Sequence, residues 1–161
     1  MLFKSNGKIL LCSEYLVLDG AKAIALPSKL TQDLEVTKCQ NKIIEWQSFD
    51  ENNDLWFEEK FYFSGNDLKY DSKKNKTSEK ILLLFKFLLK TKDVNDILGN
   101  KFLTKLNFKR EWGLGTSSTF VNNLAKWAKT DPYKLLFSAF NGSGYDICLL
   151  YTSPSPRDFA I

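Results

Sequence analysis

Apolar residues in the first half of the chain come in short runs of strand length, separated by polar clusters. Lys8–Leu11 is one such run and Ala23–Leu26 another, which Pro27 is expected to stop. Gln32–Cys39 alternates, with Leu34 and Val36 on one face. Lys42–Phe49 carries Ile43, Ile44, Trp46 and Phe49, and Leu55–Phe63 carries Trp56, Phe57, Phe61, Tyr62 and Phe63. The polar clusters Asp50–Asp54 and Ser64–Asp67 read as turns. The period then changes. Ser78–Val94 predicts a helix capped by Thr77 or Ser78, with Glu79 in its first turn and apolar residues on more than one face. Phe102–Phe108 alternates again as a strand. A glycine turn at Trp112–Gly115 leads into a helix over Thr116–Lys129, and Asp131-Pro132 opens a shorter helix to Phe140. No internal repeat is visible. Strands first, then helices around a strand–glycine turn–helix unit, predict an α+β domain.

Length and composition narrow the class. The 161 residues suit one domain, and a hydrophobic fraction of 43%, with 14% aromatic residues, is too apolar for disorder. The longest apolar stretch, Ile81–Leu89, is broken by Lys86 and too short to span a bilayer, and the N-terminus lacks the layout of a signal peptide. The three cysteines, Cys12, Cys39 and Cys148, form neither a disulfide framework nor a zinc spacing, which fits a reducing cytoplasm. There is no histidine. That excludes a Ser-His-Asp triad and a histidine base, and leaves proton transfer to carboxylate, Lys, Tyr or Cys. The net charge of +4 is modest. The densest basic run, Lys73-Lys74-Asn75-Lys76, reads as a solvated loop before a helix rather than a nucleic-acid patch.

Three segments carry chemistry, and each also has an ordinary structural reading. In Gly113-Leu114-Gly115-Thr116-Ser117-Ser118-Thr119 two glycines allow close approach of a ligand to backbone. The helix start behind them offers free N–H groups and a positive dipole end to phosphate oxygens. No Walker Gly-Lys-Ser/Thr is present, and such turns are common in structural roles. Gly142-Ser143-Gly144-Tyr145-Asp146 sets a carboxylate after a flexible turn, where it suits an attacking hydroxyl or simply caps the turn. Lys8, opening an apolar run before Ser13-Glu14-Tyr15, suits phosphate charge or an aspartate, or is a solvated strand-start lysine.

Together, in this order, the three segments resemble the GHMP small-molecule kinases. Lys8–Gly20 looks like the first motif of that family in its mevalonate and phosphomevalonate kinase form. Gly113–Ser118 resembles its Gly-Leu-Gly-Ser-Ser-Ala phosphate loop. Gly142–Ile147 resembles the region of its catalytic aspartate, nearest to a bacterial subgroup named for a Gly-Tyr-Asp-Ile-Ala stretch. The resemblance runs over residues 1–147. It implies an N-terminal GHMP domain, with a mixed or antiparallel sheet, helices packed on one side and a left-handed β-α-β crossover. It implies ATP and Mg2+ as cofactors and phosphoryl transfer to a small alcohol or phosphate acceptor, with mevalonate or phosphomevalonate as examples. Gly113, Leu114, Gly115, Thr116, Ser117 and Ser118 would hold nucleotide, Ser117 would meet the metal, and Asp146 would take or orient the acceptor's proton. Lys8 would steady charge beside Asp146, and Glu14 with Tyr15 would lie at the acceptor.

Departures from the pattern are specific. Thr119 replaces a small alanine, Thr116 a serine and Ser13 a glycine. Residues 136–140 carry no carboxylate where mevalonate kinases place a metal-binding glutamate. The family's C-terminal domain, with its third motif, is missing. Residues 148–161, with Ser153-Pro154-Ser155-Pro156, resemble translated sequencing adapter and read as a non-native tail. The chain is therefore expected to be a truncated kinase, inactive or barely active alone, with a small-molecule partner, no nucleic acid and no membrane. The alternatives are a non-catalytic nucleotide- or partner-binding homologue and a nucleic-acid-binding domain of the same fold.

Overall fold

The computed structural model describes residues 1–12, 22, 24–140, 144 and 147. Six strands form one sheet: β1 (Leu2–Cys12), β2 (Ile24–Lys38), β3 (Ile44–Phe49), β4 (Leu55–Ser64), β5 (Asp67–Tyr70) and β6 (Asn100–Leu106), in the order β1-β2-β6-β3-β4-β5. All neighbours are antiparallel except β3 and β6, which run parallel. The helices are α1 (Lys76–Leu88), α2 (Val94–Ile97), α3 (Thr116–Ala128) and α4 (Pro132–Ala139). This is the mixed-sheet α+β class that the pattern predicts.

One face of the sheet makes the core. Along β3, Ile44, Trp46 and Ser48 are buried while Glu45, Gln47 and Phe49 are half-covered, and β6 repeats this with Asn100, Phe102, Thr104 and Leu106 inward. Leu34 and Val36 of β2 share that face, as their spacing predicts. The helices close over it: Leu84, Phe85 and Leu88 of α1, and Val121, Leu124 and Ala128 of α3, are buried in the same cluster. Among the described residues no helix is long and apolar enough to cross a membrane.

Four expectations need correction. Pro27 does not stop its strand, because β2 continues through it from Ile24 to Lys38. Pro27 pairs with Lys8 beside a register shift in β1, while pairing to β6 begins only at Gln32. On its other side, then, Pro27 has no ladder bond to lose. Helix α1 ends at Leu88, short of Val94. A turn follows, and Asp93 caps the separate helix α2 by accepting from the Asn95 N–H at 2.8 Å. The cap of α1 is Asn75, whose Oδ1 accepts from the Thr77 N–H at 2.8 Å. The Ser78 hydroxyl instead donates to the buried Glu59 carboxylate at 2.8 Å. Asp67 belongs to β5 rather than to the turn before it.

The β5–α1 junction yields a pH prediction. The Lys86 ammonium lies 2.7 Å from Asp67 and, by hydrogen bond and charge, holds that carboxyl below its ordinary range. A carboxylate depressed by folding adds stability above its unfolded pKa, and the contribution disappears as pH falls through the folded value. Asp67→Asn should therefore narrow the gap in melting temperature between neutral and acidic pH. The change should be small because the pair is solvent-screened. Identical pH profiles for parent and variant would show that the contact contributes nothing.

Candidate active site

Segments that are far apart in sequence meet at the start of α3. The chain leaves β6, makes a 3-10 turn over Arg110–Trp112, and passes through Gly113 and Gly115 at φ +68° and +78° before α3 begins. Both glycines hold left-handed backbone, which glycine alone adopts without strain. No side chain of the described residues caps α3 at Gly115. Leu114, between the glycines, turns inward onto Leu106 and Phe108 and anchors the loop.

The Gly7–Lys8 corner of β1 closes against this loop. The Lys8 N–H donates to the Leu114 carbonyl at 2.9 Å. A Cβ placed on Gly7 would lie 2.9 Å from Ser28 Oγ and 3.1 Å from Leu114 Cβ. The Lys8 side chain is buried and runs directly beneath the turn: a Cβ on Gly115 would sit 3.2 Å from its Cγ and 3.3 Å from its Cε. The fold thus sets Lys8 against the Gly113–Ser117 segment. Ser118 is buried and stands outside the cavity described next. Asp146, Glu14 and Tyr15 lie outside the described residues. Of the described residues beside it, Ile147 is buried in the main core, and a Cβ on Gly144, at φ +74°, would meet Tyr133 and Phe137 of α4.

Beside the loop a cavity of about 240 Å³ opens between the first turns of α1 and α3. Thr116 and Ser117 form one rim and Thr77 and Lys80 the other. The walls are aromatic, from Trp46, Trp56, Phe120 and Phe140, and the floor is polar, from Gln32, Ser48 and Thr104. The Arg110 guanidinium stacks 3.7 Å from the centroid of the Trp56 ring, and the Lys80 ammonium lies 4.5 Å from that of Phe140. The Trp56 indole N–H is buried and meets no acceptor among the described residues.

Sequence reasoning missed this cavity almost entirely. Its residues come from six elements, the connection before α3 and the end of α4, and only Thr116 and Ser117 stand in a motif. The available signal was the aromatic density of β4 and a polar residue, Gln32, in register with the core positions Leu34 and Val36.

The residues present fit a nucleoside triphosphate. The start of α3, two glycines without side chains, and the basic groups Lys8, Lys80 and Arg110 suit phosphates. The aromatic walls suit a planar base. Among the described residues no group of three or more His, Cys, Asp or Glu could hold a metal ion. Ser117, exposed on the α3 rim, offers one hydroxyl.

No protein-family model and no curated protein matches the chain. Solved structures do. The Methanococcus jannaschii mevalonate kinase is 16% identical with a TM-score of 0.61, covering 94% of this chain and 51% of its own. Streptococcus pneumoniae phosphomevalonate kinase, solved with phosphomevalonate and AMPPNP, is 18% identical with a TM-score of 0.58, covering 93% of this chain and 46% of its own. A D-glycero-D-manno-heptose 1-phosphate kinase from Bacteroides thetaiotaomicron gives 15% identity and a TM-score of 0.60, covering 89% and 51%. The chain spans about half the length of the solved structures it matches. At these identities the likeness concerns the fold alone, a mixed-sheet α+β fold that matches the N-terminal domain of these GHMP-type kinase structures.

Proposed function

We propose that this chain is the nucleotide-binding part of an ATP-dependent small-molecule kinase. The observation that carries the reading is the clasp of Lys8 beneath Gly115, at a helix start whose rim opens on an aromatic cavity. Bound magnesium-ATP would supply the transferable γ-phosphoryl group. The chain's residues position it and balance its charge, which is most of what phosphoryl transfer asks of a protein. Amides of Thr116 and Ser117 would hold phosphate oxygens, the Ser117 hydroxyl would be available to the metal, and Lys8 would neutralise charge from below. Asp146 takes the acceptor's proton, because no histidine exists to do so. The acceptor is a small alcohol or phosphate compound, with mevalonate and phosphomevalonate the first candidates. Residues 1–147 form the N-terminal domain, and a second domain completes the acceptor site.

A binding-only homologue is the second reading. It is favoured by α4, whose buried positions Leu135 and Leu136 bring no carboxylate toward a metal. One experiment separates the two. In the chain extended through its second domain, Asp146→Asn should lower kcat by roughly 100-fold or more while the ATP Kd stays nearly constant. ADP release coupled to a panel of acceptors measures the first, and titration calorimetry the second. ATP binding without turnover in the parent leaves the binding-only reading; absence of ATP binding removes both.

A further inference from the structure

Glu59 puts a carboxylate where the core-facing row of β4 is otherwise apolar. It shares that row with Phe57 and Phe61, pairs with Trp46 across the ladder, and is 5% exposed. A buried charge costs stability unless it is paired and bonded. None of the ion pairs among the described residues includes it. Its partners are hydroxyls and one amide. Oε2 accepts from both Ser72 and Ser78, the second at 2.8 Å, and Oε1 accepts from the Lys60 N–H at 3.2 Å. Ser72 follows β5 and Ser78 lies in the first turn of α1, so one oxygen holds both ends of the segment that leads into the helix. The carboxylate there also meets the positive end of the α1 dipole. That same turn is the cavity rim across from Thr116 and Ser117: Thr77 precedes Ser78, and Lys80 follows it by two residues.

We propose that Glu59 is a positioning residue, which sets the α1 rim of the cavity, and Lys80 with it, against the phosphates of the ligand. The inference rests on the nucleotide reading above and adds a residue that touches no ligand, since Glu59 does not line the cavity. The rim needs such a hold. Lys73, Lys74, Asn75 and Lys76, between the two serines, are exposed, and their three like charges repel one another. Lys80 enters no ion pair among the described residues. Its ammonium rests over the Phe140 ring, so its charge is open to an anion at the rim. An apolar side chain at position 59 would avoid the desolvation cost of a carboxylate. What the carboxylate adds is a fixed anchor for two hydroxyls, one on each side of the exposed segment.

The test measures ATP and inorganic tripolyphosphate binding by calorimetry on the 161-residue chain. Glu59→Leu should weaken both ligands by roughly 5-fold or more, the worth of about one hydrogen bond. Glu59→Gln, whose amide can still bond both hydroxyls, should stay close to the parent. Lys80→Met should weaken both ligands as well. Adding Glu59→Leu to Lys80→Met should then cost little more, because Glu59 acts through the rim that Lys80 occupies. Additive losses, parental affinity in Glu59→Leu, or a loss in Glu59→Gln as large as that in Glu59→Leu overturns the proposal while leaving the nucleotide reading intact. Should Glu59→Leu not fold, Ser78→Ala takes its place, since it frees α1 from the carboxylate with a residue that suits a helix; parental affinity there overturns the proposal equally. If the parent binds neither ligand, the nucleotide reading fails and this inference with it.

Discussion

Gly115→Val should weaken ATP binding more than any other single change in the loop. At φ +78° a β-branched residue is strained, by about 1–2 kcal/mol from handedness alone. The new Cβ would also press on Lys8 Cγ and Cε at 3.2 and 3.3 Å. Lys8 has little room to yield, since its side chain is buried and its backbone is tied to Leu114. The turn must then shift, carrying the first amides of α3 off the phosphates. Each charge-assisted hydrogen bond lost is worth about 1.5–3 kcal/mol, or roughly 10- to 150-fold in affinity. Tripolyphosphate should weaken in parallel with ATP, because the damage is at the phosphate end. Gly113→Ala makes the control: its φ of +68° is strained, but nothing lies within 4 Å of the added carbon. Calorimetry that finds parental ATP affinity in Gly115→Val would dissociate this turn from phosphate binding.

The largest loss of stability is expected from Trp46→Ala. Trp46 is 1% exposed and sits at the meeting point of sheet and helices. It stacks on Phe102 at 5.3 Å and meets Phe85 and Phe120 edge-on at 6.0 and 5.2 Å. Truncating a buried aromatic to alanine costs about 3–5 kcal/mol through lost transfer energy and the cavity left behind. That is a large share of the 5–15 kcal/mol that holds a typical domain together. For a chain of this size it corresponds to roughly 6–20 °C in melting temperature. Trp46→Phe should cost less, since it keeps most of the ring contacts and loses the bond to Ser48. Urea unfolding measures both. A cost below 1 kcal/mol for Trp46→Ala would mean that these rings do not organise the core.

The two predictions differ in how far the sequence anticipates them. Gly115 stands in a glycine–hydroxyl cluster at a strand-to-helix change, so its local role is readable from neighbours in the chain. Lys8 stands out in the sequence only by its place at the head of an apolar run; that it lies under Gly115 is a fact of β1 folding back, more than a hundred residues away in sequence. Trp46 reads only as one aromatic among several in a strand. Its standing as the hub depends on β6 entering the sheet between β2 and β3, which no local pattern announces. The misjudged ends of α1 and β2 have the same origin. Apolar residues past Leu88 mimicked a continuing helix, while the Asp93 cap started a new one. Pro27 is tolerated because the edge it faces is unpaired.

By itself, then, the sequence determined the local elements whose chemistry is local: alternating strands, the Asp131-Pro132 start of α4, the left-handed glycine turn, and the exclusion of histidine chemistry. Tertiary structure alone decided the strand order, the burial of Lys8 beneath the turn, and the polar floor of Gln32, Ser48 and Thr104 inside an aromatic cavity. The physical reason is range. Dihedral preference, capping and periodicity act over a few residues, whereas a cavity is the space left when distant segments pack, and its lining is set by which of them become neighbours.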